Sequence, residues 1–481
     1  MKKPLRVMKF GGTSVGDAAC MGRVAQIVKE AAHDGPIVVV VSAMGGVTNR
    51  LIEAAKRAEA SELDQAAGIF SDLRKQHEAA INGLIRDQDK RKRLMAYLDK
   101  VFAEGDQLCR GTALLRELTP RTLDCVSSLG ERFSAPIVAA ALVEMGVLSE
   151  SVEATELIVT DAYHGGADPI MDRTRYLSET RLRPMLDRGV IPVATGFIGS
   201  TVDGVLTTLG RGGSDYSATI LGAALDADEI IIWTDVNGVL TADPRLVTEA
   251  RTIPEISYRE ATELAYFGAK VLHPKTLRAV EAAGIPVWIR NSFAPEQSGT
   301  KITPKGRSNG GGVKALTAIR DVALITVGGP GIVGVPDVIG RTFTTTAELH
   351  ANVLLISQSS SQNDICFIVP AAEARSTVDA LRREFAQDVA HEKVEHITLV
   401  SNIAIVAVVG ENMRGTPGVA ARTFSSVGRE NVNIMVIAQG SSETNISFVV
   451  SDKDMKTALL AVHREFELGA RSAVESKVTV S

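Results

Sequence analysis

The C-terminal third of this 481-residue chain repeats itself, and that repetition limits the possible architecture more than any other feature. Arg341-Thr342-Phe343 matches Arg422-Thr423-Phe424, Asn352-Val353 matches Asn433-Ile434, Gln358 matches Gln439, and Arg383-Glu384-Phe385 matches Arg464-Glu465-Phe466. Every pair is offset by the same 81 residues (341 to 422, 352 to 433, 358 to 439, 383 to 464), so the register holds without a gap. Each copy reads strand, Gly-rich turn, helix, strand, turn, strand, helix, the pattern of a small α+β sandwich. A solenoid needs three or more stacked units, so two copies predict a paired module, with repeats over 313–398 and 399–481.

Ahead of the repeats, short β-branched runs alternate with helical patterns, beginning with Arg6 to Phe10 and Ile37 to Val41. Such alternation predicts an α/β domain whose mostly parallel sheet is sandwiched by helices. Further strands are expected at Leu157–Thr160, Val190–Thr195, Leu206–Leu209, Glu229–Thr234 and Pro286–Ile289. From Glu53 to Leu118 the chain is rich in Ala, Leu, Lys, Arg and Glu and poor in turn residues, which predicts inserted helices. A stretch rich in Gly, Ser and Pro, from Lys301 to Gly312, has the composition of a linker and closes a first domain over 1–305.

Composition narrows the function class. With 52 Lys and Arg against 57 Asp and Glu, the net charge of −5 gives no electrostatic reason to expect nucleic acid or an anionic membrane. The longest strongly apolar run near the start is Ile37–Val41, far short of a membrane span, and the chain reads as cytoplasmic. Cys20, Cys109, Cys125 and Cys366 are widely spaced and without neighbouring histidines, so they read as reduced, structural thiols.

Residue types suited to phosphate chemistry collect at the expected strand ends. Lys9-Phe10-Gly11-Gly12-Thr13-Ser14 places a Lys at the end of the first strand and two glycines before a helix, where backbone N–H groups and the helix dipole can cradle phosphate. Ser42-Ala43-Met44-Gly45-Gly46-Val47-Thr48 repeats that arrangement after the second strand, and a tight turn without a ligand explains either one equally well. Thr208-Leu209-Gly210-Arg211-Gly212-Gly213-Ser214-Asp215 is more specific. Ser214 or Asp215 could cap the following helix, but capping leaves Arg211 unexplained, and an Arg among glycines suits bidentate capture of a carboxylate or phosphate. Trp233-Thr234-Asp235 ends another strand with polar groups suited to a nucleoside, and Gly268-Ala269-Lys270 offers a second Lys at a helix start.

Taken in order with Gly130-Glu131-Arg132, Gly196-Phe197-Ile198-Gly199 and Phe267-Gly268-Ala269-Lys270-Val271-Leu272-His273-Pro274, these motifs resemble the aspartate kinases of the amino acid kinase superfamily over essentially the whole chain. The C-terminal repeats resemble the tandem, ferredoxin-like ACT domains of those enzymes. The resemblance implies transfer of the γ-phosphoryl of MgATP to the side-chain carboxylate of L-aspartate. It implies Lys9 on the transferred phosphoryl, Arg211 on the substrate α-carboxylate, Glu131 and Asp215 on the ammonium, and Ser42, Thr48, Phe197 and Ser214 lining the aspartate pocket. Gly11, Gly12, Ser14, Thr234, Asp235, Arg245 and Lys270 would contact nucleotide, with Mg²⁺ held by phosphates and water and no protein ligand assigned. Many relatives carry an aromatic residue where this chain has Leu240, which bears on adenine stacking.

The repeated Gln358 and Gln439 each follow an apolar strand, and their surroundings look more like threonine-sensitive than lysine-sensitive relatives, so both are expected at effector sites for threonine, with lysine as the alternative. Exposed strand edges predict a homodimer or larger assembly. The chain stops at Ser481 after the second repeat, which argues against a fused homoserine dehydrogenase. Two rivals are a kinase for another small carboxylate and an amino-acid sensor with a decayed kinase domain; Lys9, Arg211, Asp215 and Lys270 together speak against decay.

Overall fold

The computed structural model describes residues 3–268, 272–307, 312–329, 336–358, 363–413, 415–440 and 443–469. The described residues form two compact units, the first drawn from 1–239, 252–262 and 270–307, the second from 240–251, 263–269 and 308–481.

Strands of the first unit are β1 (Arg6–Phe10), β2 (Ile37–Val41), β3 (Ser149–Val152), β4 (Val159–Thr160), β5 (Ile191–Thr195), β6 (Ile198–Thr201), β7 (Leu206–Thr208), β8 (Glu229–Thr234), β9 (Glu255–Ser257), β10 (Val287–Asn291) and β11 (Thr300–Thr303). Eight of them make one sheet in the order β3-β5-β2-β1-β8-β10-β11-β9, parallel except between β10 and β11. β2, Ile-Val-Val-Val-Val, is buried along its whole length, as a central parallel strand covered on both faces should be. The register is level: Phe10 pairs with Val41 on one side and Trp233 on the other, and Val41 with Thr195. Four strands therefore end at one rim, and the chain order reverses there, since β2 and β8 flank β1. β4, β6 and β7 form a small second sheet.

The helices are α1 (Ala18–Ala31), α2 (Val47–Glu59), α3 (Leu63–Leu84), α4 (Gln88–Leu115), α5 (Pro120–Ser127), α6 (Leu129–Glu144), α7 (Met171–Asp187), α8 (Gly213–Ala224), α9 (Tyr258–Tyr266) and α10 (Pro274–Glu281). The span expected to be helical from Glu53 to Leu118 is α2 to α4. Their starts follow sequence signals: Asp17 accepts from Cys20 N at 2.8 Å to cap α1, Asp87 caps α4, and Thr119 with Pro120 opens α5. Phe102 and Phe133 stack at 4.2 Å in the core beneath them. Among the described residues, only 120–144 is long and apolar enough to cross a membrane, and 78% of its apolar window is buried inside the fold.

The second unit contains the repeats as β12 (Ala315–Gly328), α11 (Pro336–Glu348), β13 (Leu355–Gln358), β14 (Asp364–Pro370), α12 (Ala371–Glu384) and α13 (Ala386–Ala390), then β15 (His396–Val409), α14 (Val419–Arg429), β16 (Val436–Gln439), β17 (Asn445–Ser451) and α15 (Met455–Glu465). Both halves join in one antiparallel sheet, β13-β14-β12-β15-β17-β16, with the long β12 and β15 at the seam. The repeated residues make repeated contacts. Arg341 donates to Glu384 at 2.7 Å and lies over Phe385; Arg422 donates to Glu465 at 2.9 Å and lies over Phe466. Phe343 meets Phe367 edge-on, as Phe424 meets Phe448. Segment 240–251 packs here too, placing Ala242 and Val247 in the core of the second repeat.

Phe367 and Phe448 are each fully buried. Truncating either to Ala is expected to destabilise the second unit by about 3–5 kcal/mol, the cost of a large core aromatic. Urea unfolding followed by circular dichroism measures this, and a cost near zero would mean that the repeats do not share the packing described.

Candidate functional site

A cavity of about 200 Å³ opens at the carboxyl rim of the large sheet, lined by Lys9, Ser42, Thr48, Glu131, Phe197, Gly210, Gly212, Gly213, Ser214 and Asp215. It lies against two helix N-termini, since Thr48 is in the first turn of α2 and Gly213 to Asp215 form the first turn of α8. Neither helix has a side-chain cap; each starts after a glycine in the left-handed region, Gly46 at φ 80° and Gly212 at φ 68°. Their uncapped N–H groups and positive dipole ends favour an anion in the cavity. The capping roles considered for Ser214 and Asp215 are not what the helix shows: it begins at Gly213, which sets Asp215 inside the first turn and aims it at Lys9.

Charge in the cavity is paired and largely shielded from solvent. Lys9 Nζ stands 2.5 Å from Asp215 Oδ1, with both side chains mostly buried. Glu131 is 2% exposed, and its Oε2 has no hydrogen-bond partner among the described residues. Burial pushes the Glu131 carboxyl up to about 8, against the opposing pull of the Ala43 backbone N–H and the Lys9 charge. Small residues make this convergence possible. A Cβ at Gly130 would fall 2.6 Å from Ala43 Cβ, so only glycine lets α6 approach the turn after β2 and deliver Glu131. Ser214 Oγ donates to Ser42 Oγ at 3.2 Å, which ties the start of α8 to the end of β2.

Phe197 is held at φ 71°, a costly conformation for a bulky residue, with its N–H donating to Ser217 Oγ at 2.9 Å. Such strain persists where surrounding contacts fix it, and this instance lies on the cavity wall.

The other sequence-selected residues fall as follows. Gly11 and Gly12 follow Lys9 in the turn after β1, and a Cβ at Gly11 would sit 3.4 Å from Lys9 Nζ. Buried Ser14 Oγ contacts Ser292 Oγ at 2.7 Å, and Ser292 in turn donates to Thr234 O, so the ends of β1, β8 and β10 are linked. Thr234 Oγ1 donates to Asp235 at 3.1 Å on the rim. Arg211 stands between two lining glycines but is exposed, outside the cavity wall, and paired with no described residue. Arg245 belongs to the second unit, where it pairs with Asp243 at 2.6 Å. Lys270 lies outside the described residues. Among those residues, no group of three or more His, Cys, Asp or Glu side chains could hold a metal ion.

A second cavity, about 300 Å³, lies in the second repeat and is lined by Met413, Gly415 to Ala420, Gln439, Glu443 and Ile446. Gln439 is thus one of a set the sequence reading did not complete: Glu443 accepts from Gly415 N at 3.0 Å, and α14 starts uncapped after Gly418 at φ 88°. Gln358 is the exposed last residue of β13.

Residues 4–291 match the amino acid kinase family, and 325–385 and 406–466 match the ACT domain. The chain is 37% identical over 470 residues to bifunctional aspartokinase/homoserine dehydrogenase 1 of Arabidopsis thaliana, covering 96% of this chain and 51% of that protein. It thus spans about half the length of the first curated relatives it matches. It is 32% identical to Arabidopsis aspartokinase 1, of which it covers 80%. Among solved structures, E. coli aspartokinase III with aspartate and ADP matches 96% of this chain and 99% of its own, at 31% identity and a TM-score of 0.79. The lysine and aspartate complex of the same enzyme matches at 30% identity and a TM-score of 0.78.

The Glu131 shift fixes a sign. A carboxyl that binds its proton more tightly when folded favours folding at low pH, and that contribution is lost as pH rises from the ordinary carboxylate value through about 8. Stability of the ligand-free protein is therefore expected to fall over that window and to fall less in Glu131→Gln. Denaturant midpoints across the pH series measure it, and parallel curves for the two proteins would contradict the assignment.

Proposed function

The chain belongs to the aspartokinases of the amino acid kinase family, and on that premise we propose that it transfers the γ-phosphoryl of MgATP to the side-chain carboxylate of L-aspartate, giving 4-phospho-L-aspartate. That product would enter biosynthesis of lysine, threonine and methionine. The observation that carries the reading is the buried Lys9–Asp215 pair set between two helix N-termini, beside the Glu131 carboxyl, whose Oε2 has no hydrogen-bond partner among the described residues.

The acceptor is already an anionic nucleophile, so no general base is needed; the task is to bring it up to a triphosphate. Lys9 and Asp215 stand as an ion pair in the cavity. Substrates would replace both partners, with the γ-phosphoryl taking Lys9 and the aspartate ammonium taking Asp215 and Glu131. Arg211, exposed beside the cavity, would turn onto the α-carboxylate, while Ser42, Thr48, Phe197 and Ser214 shape the pocket. Gly11, Gly12, Ser14, Thr234 and Asp235 would supply the nucleotide side, together with Lys270. Mg²⁺ would be carried by phosphate oxygens and water.

The repeats would sense an end-product amino acid. In the second, the uncapped start of α14 suits its carboxylate, and Gln439 and Glu443 suit its polar side chain and ammonium. Threonine is the preferred effector and lysine the alternative, with Gln358 as the corresponding group of the first repeat. Inhibition requires that the effector bind an inactive arrangement more tightly than the active one. Association into at least a homodimer and a cytoplasmic setting complete the proposal.

ADP release from MgATP with L-aspartate, against L-glutamate, is the direct test, repeated with threonine and with lysine; no aspartate-dependent turnover would sink the proposal. Lys9→Ala should lower kcat by about 100-fold or more, the scale of losing one charge-stabilising donor, with the fold retained. Near-normal turnover would remove Lys9 from the chemistry. Gln439→Ala should raise the inhibitory effector concentration without lowering uninhibited activity, and an unchanged inhibition curve would take Gln439 out of the effector site.

A further inference from the structure

Outside the cavity, one buried acid is used by none of the chemistry above. Asp124 of α5 has a side chain 2% exposed, yet it takes four hydrogen-bond contacts. Thr208 Oγ1 donates to Oδ1 at 2.6 Å, His164 Nδ1 stands 2.7 Å from Oδ2, and Gly165 N approaches the two oxygens at 3.1 and 3.2 Å. A buried carboxylate is tolerated only when its oxygens are so satisfied, and an apolar side chain would fill the space without that requirement. What the acid adds is a fixed geometry among the groups it joins.

Those groups hold one wall of the cavity. Thr208 is the last residue of β7, directly before Leu209-Gly210-Arg211-Gly212-Gly213. Gly165 belongs to the facing loop 161–168, whose backbone abuts that turn: a Cβ at Gly210 would lie 3.0 Å from Gly165 O, and Ala167 N donates to Thr208 O at 2.9 Å. Lys275 Nζ donates to Gly166 O at 3.1 Å, bracing the same loop from α10. Leu209 N donates to Phe197 O at 2.9 Å, so the turn is also tied to the strained residue that lines the cavity.

We infer that Asp124 is a positioning residue for aspartate binding: by joining Thr208 to loop 161–168 it sets the Gly210–Gly213 turn that presents Arg211 and begins α8. The inference rests on the substrate reading given for that turn. Asp124→Asn keeps the shape but turns an amide N–H toward donors. Thr208→Val removes one hydroxyl from the same contact, and Thr208→Ser retains it.

Two measurements on the full chain test this. In hydrogen exchange of the ligand-free protein, Asp124→Asn and Thr208→Val should speed amides in 165–168 and 209–213 by about 10-fold or more while α3 and α4 stay as in wild type. In turnover, both variants should raise the KM for aspartate by about 10-fold, with the KM for ATP little changed and Thr208→Ser close to wild type. Unchanged exchange in both loops would overturn the inference, and so would acceleration spread across the whole unit, which marks a purely structural residue. An unaltered aspartate KM alongside loosened loops would also overturn it. Confined loop exchange in a wild-type protein without aspartate turnover would support the bracing by Asp124 and sink the substrate assignment instead.

Discussion

The level backbone register of β1, β2, β5 and β8 is the constraint on which the site depends. Parallel strands have no hairpins to join them, so each is followed by a turn and a crossover, and equal strand ends put those turns on one rim. A slip of one residue in any strand would carry Lys9 or its neighbours to the other face of the sheet. Charge can then be concentrated there, because the glycines let backbones approach within van der Waals distance and two helix starts supply positive potential without adding side chains.

Buried charge in the cavity is accommodated in two different ways. Lys9 and Asp215 offset one another's burial, whereas Glu131 responds to burial by holding its proton. Under the proposed chemistry, an arriving ammonium would reverse the balance at Glu131, and an arriving phosphoryl would do so at Lys9. Each substrate group of that proposal would meet a partner whose position the fold already fixes, leaving little reorganisation for the chemical step.

Much of this was legible in the sequence, for reasons that differ by element. β2 announces itself through an unbroken β-branched run, and the Gly-rich turns after β1, β2 and β7 mark where the backbone bends sharply at the rim. Ser42, Thr48, Glu131, Phe197 and Ser214, expected from motifs scattered over more than 170 positions, line one cavity. Asp124 and His164 were not legible: a lone acid on a helical pattern reads as a solvated one, and only tertiary packing reveals what it accepts. Segment 240–251 was equally silent. It lies between strands of the first unit in sequence, and its apolar residues, Ala242 and Val247, find their partners in another unit. Arg245 travels with that segment.

The twin contacts of the repeats have an experimental consequence. Arg341 with Glu384 and Arg422 with Glu465 are the same interaction built twice from the same residues in one folded chain. Substituting each in turn holds chemistry, solvent and concentration constant, and varies only the address. Any difference between the two outcomes is then a direct reading of what the surroundings add, so the molecule carries its own internal control.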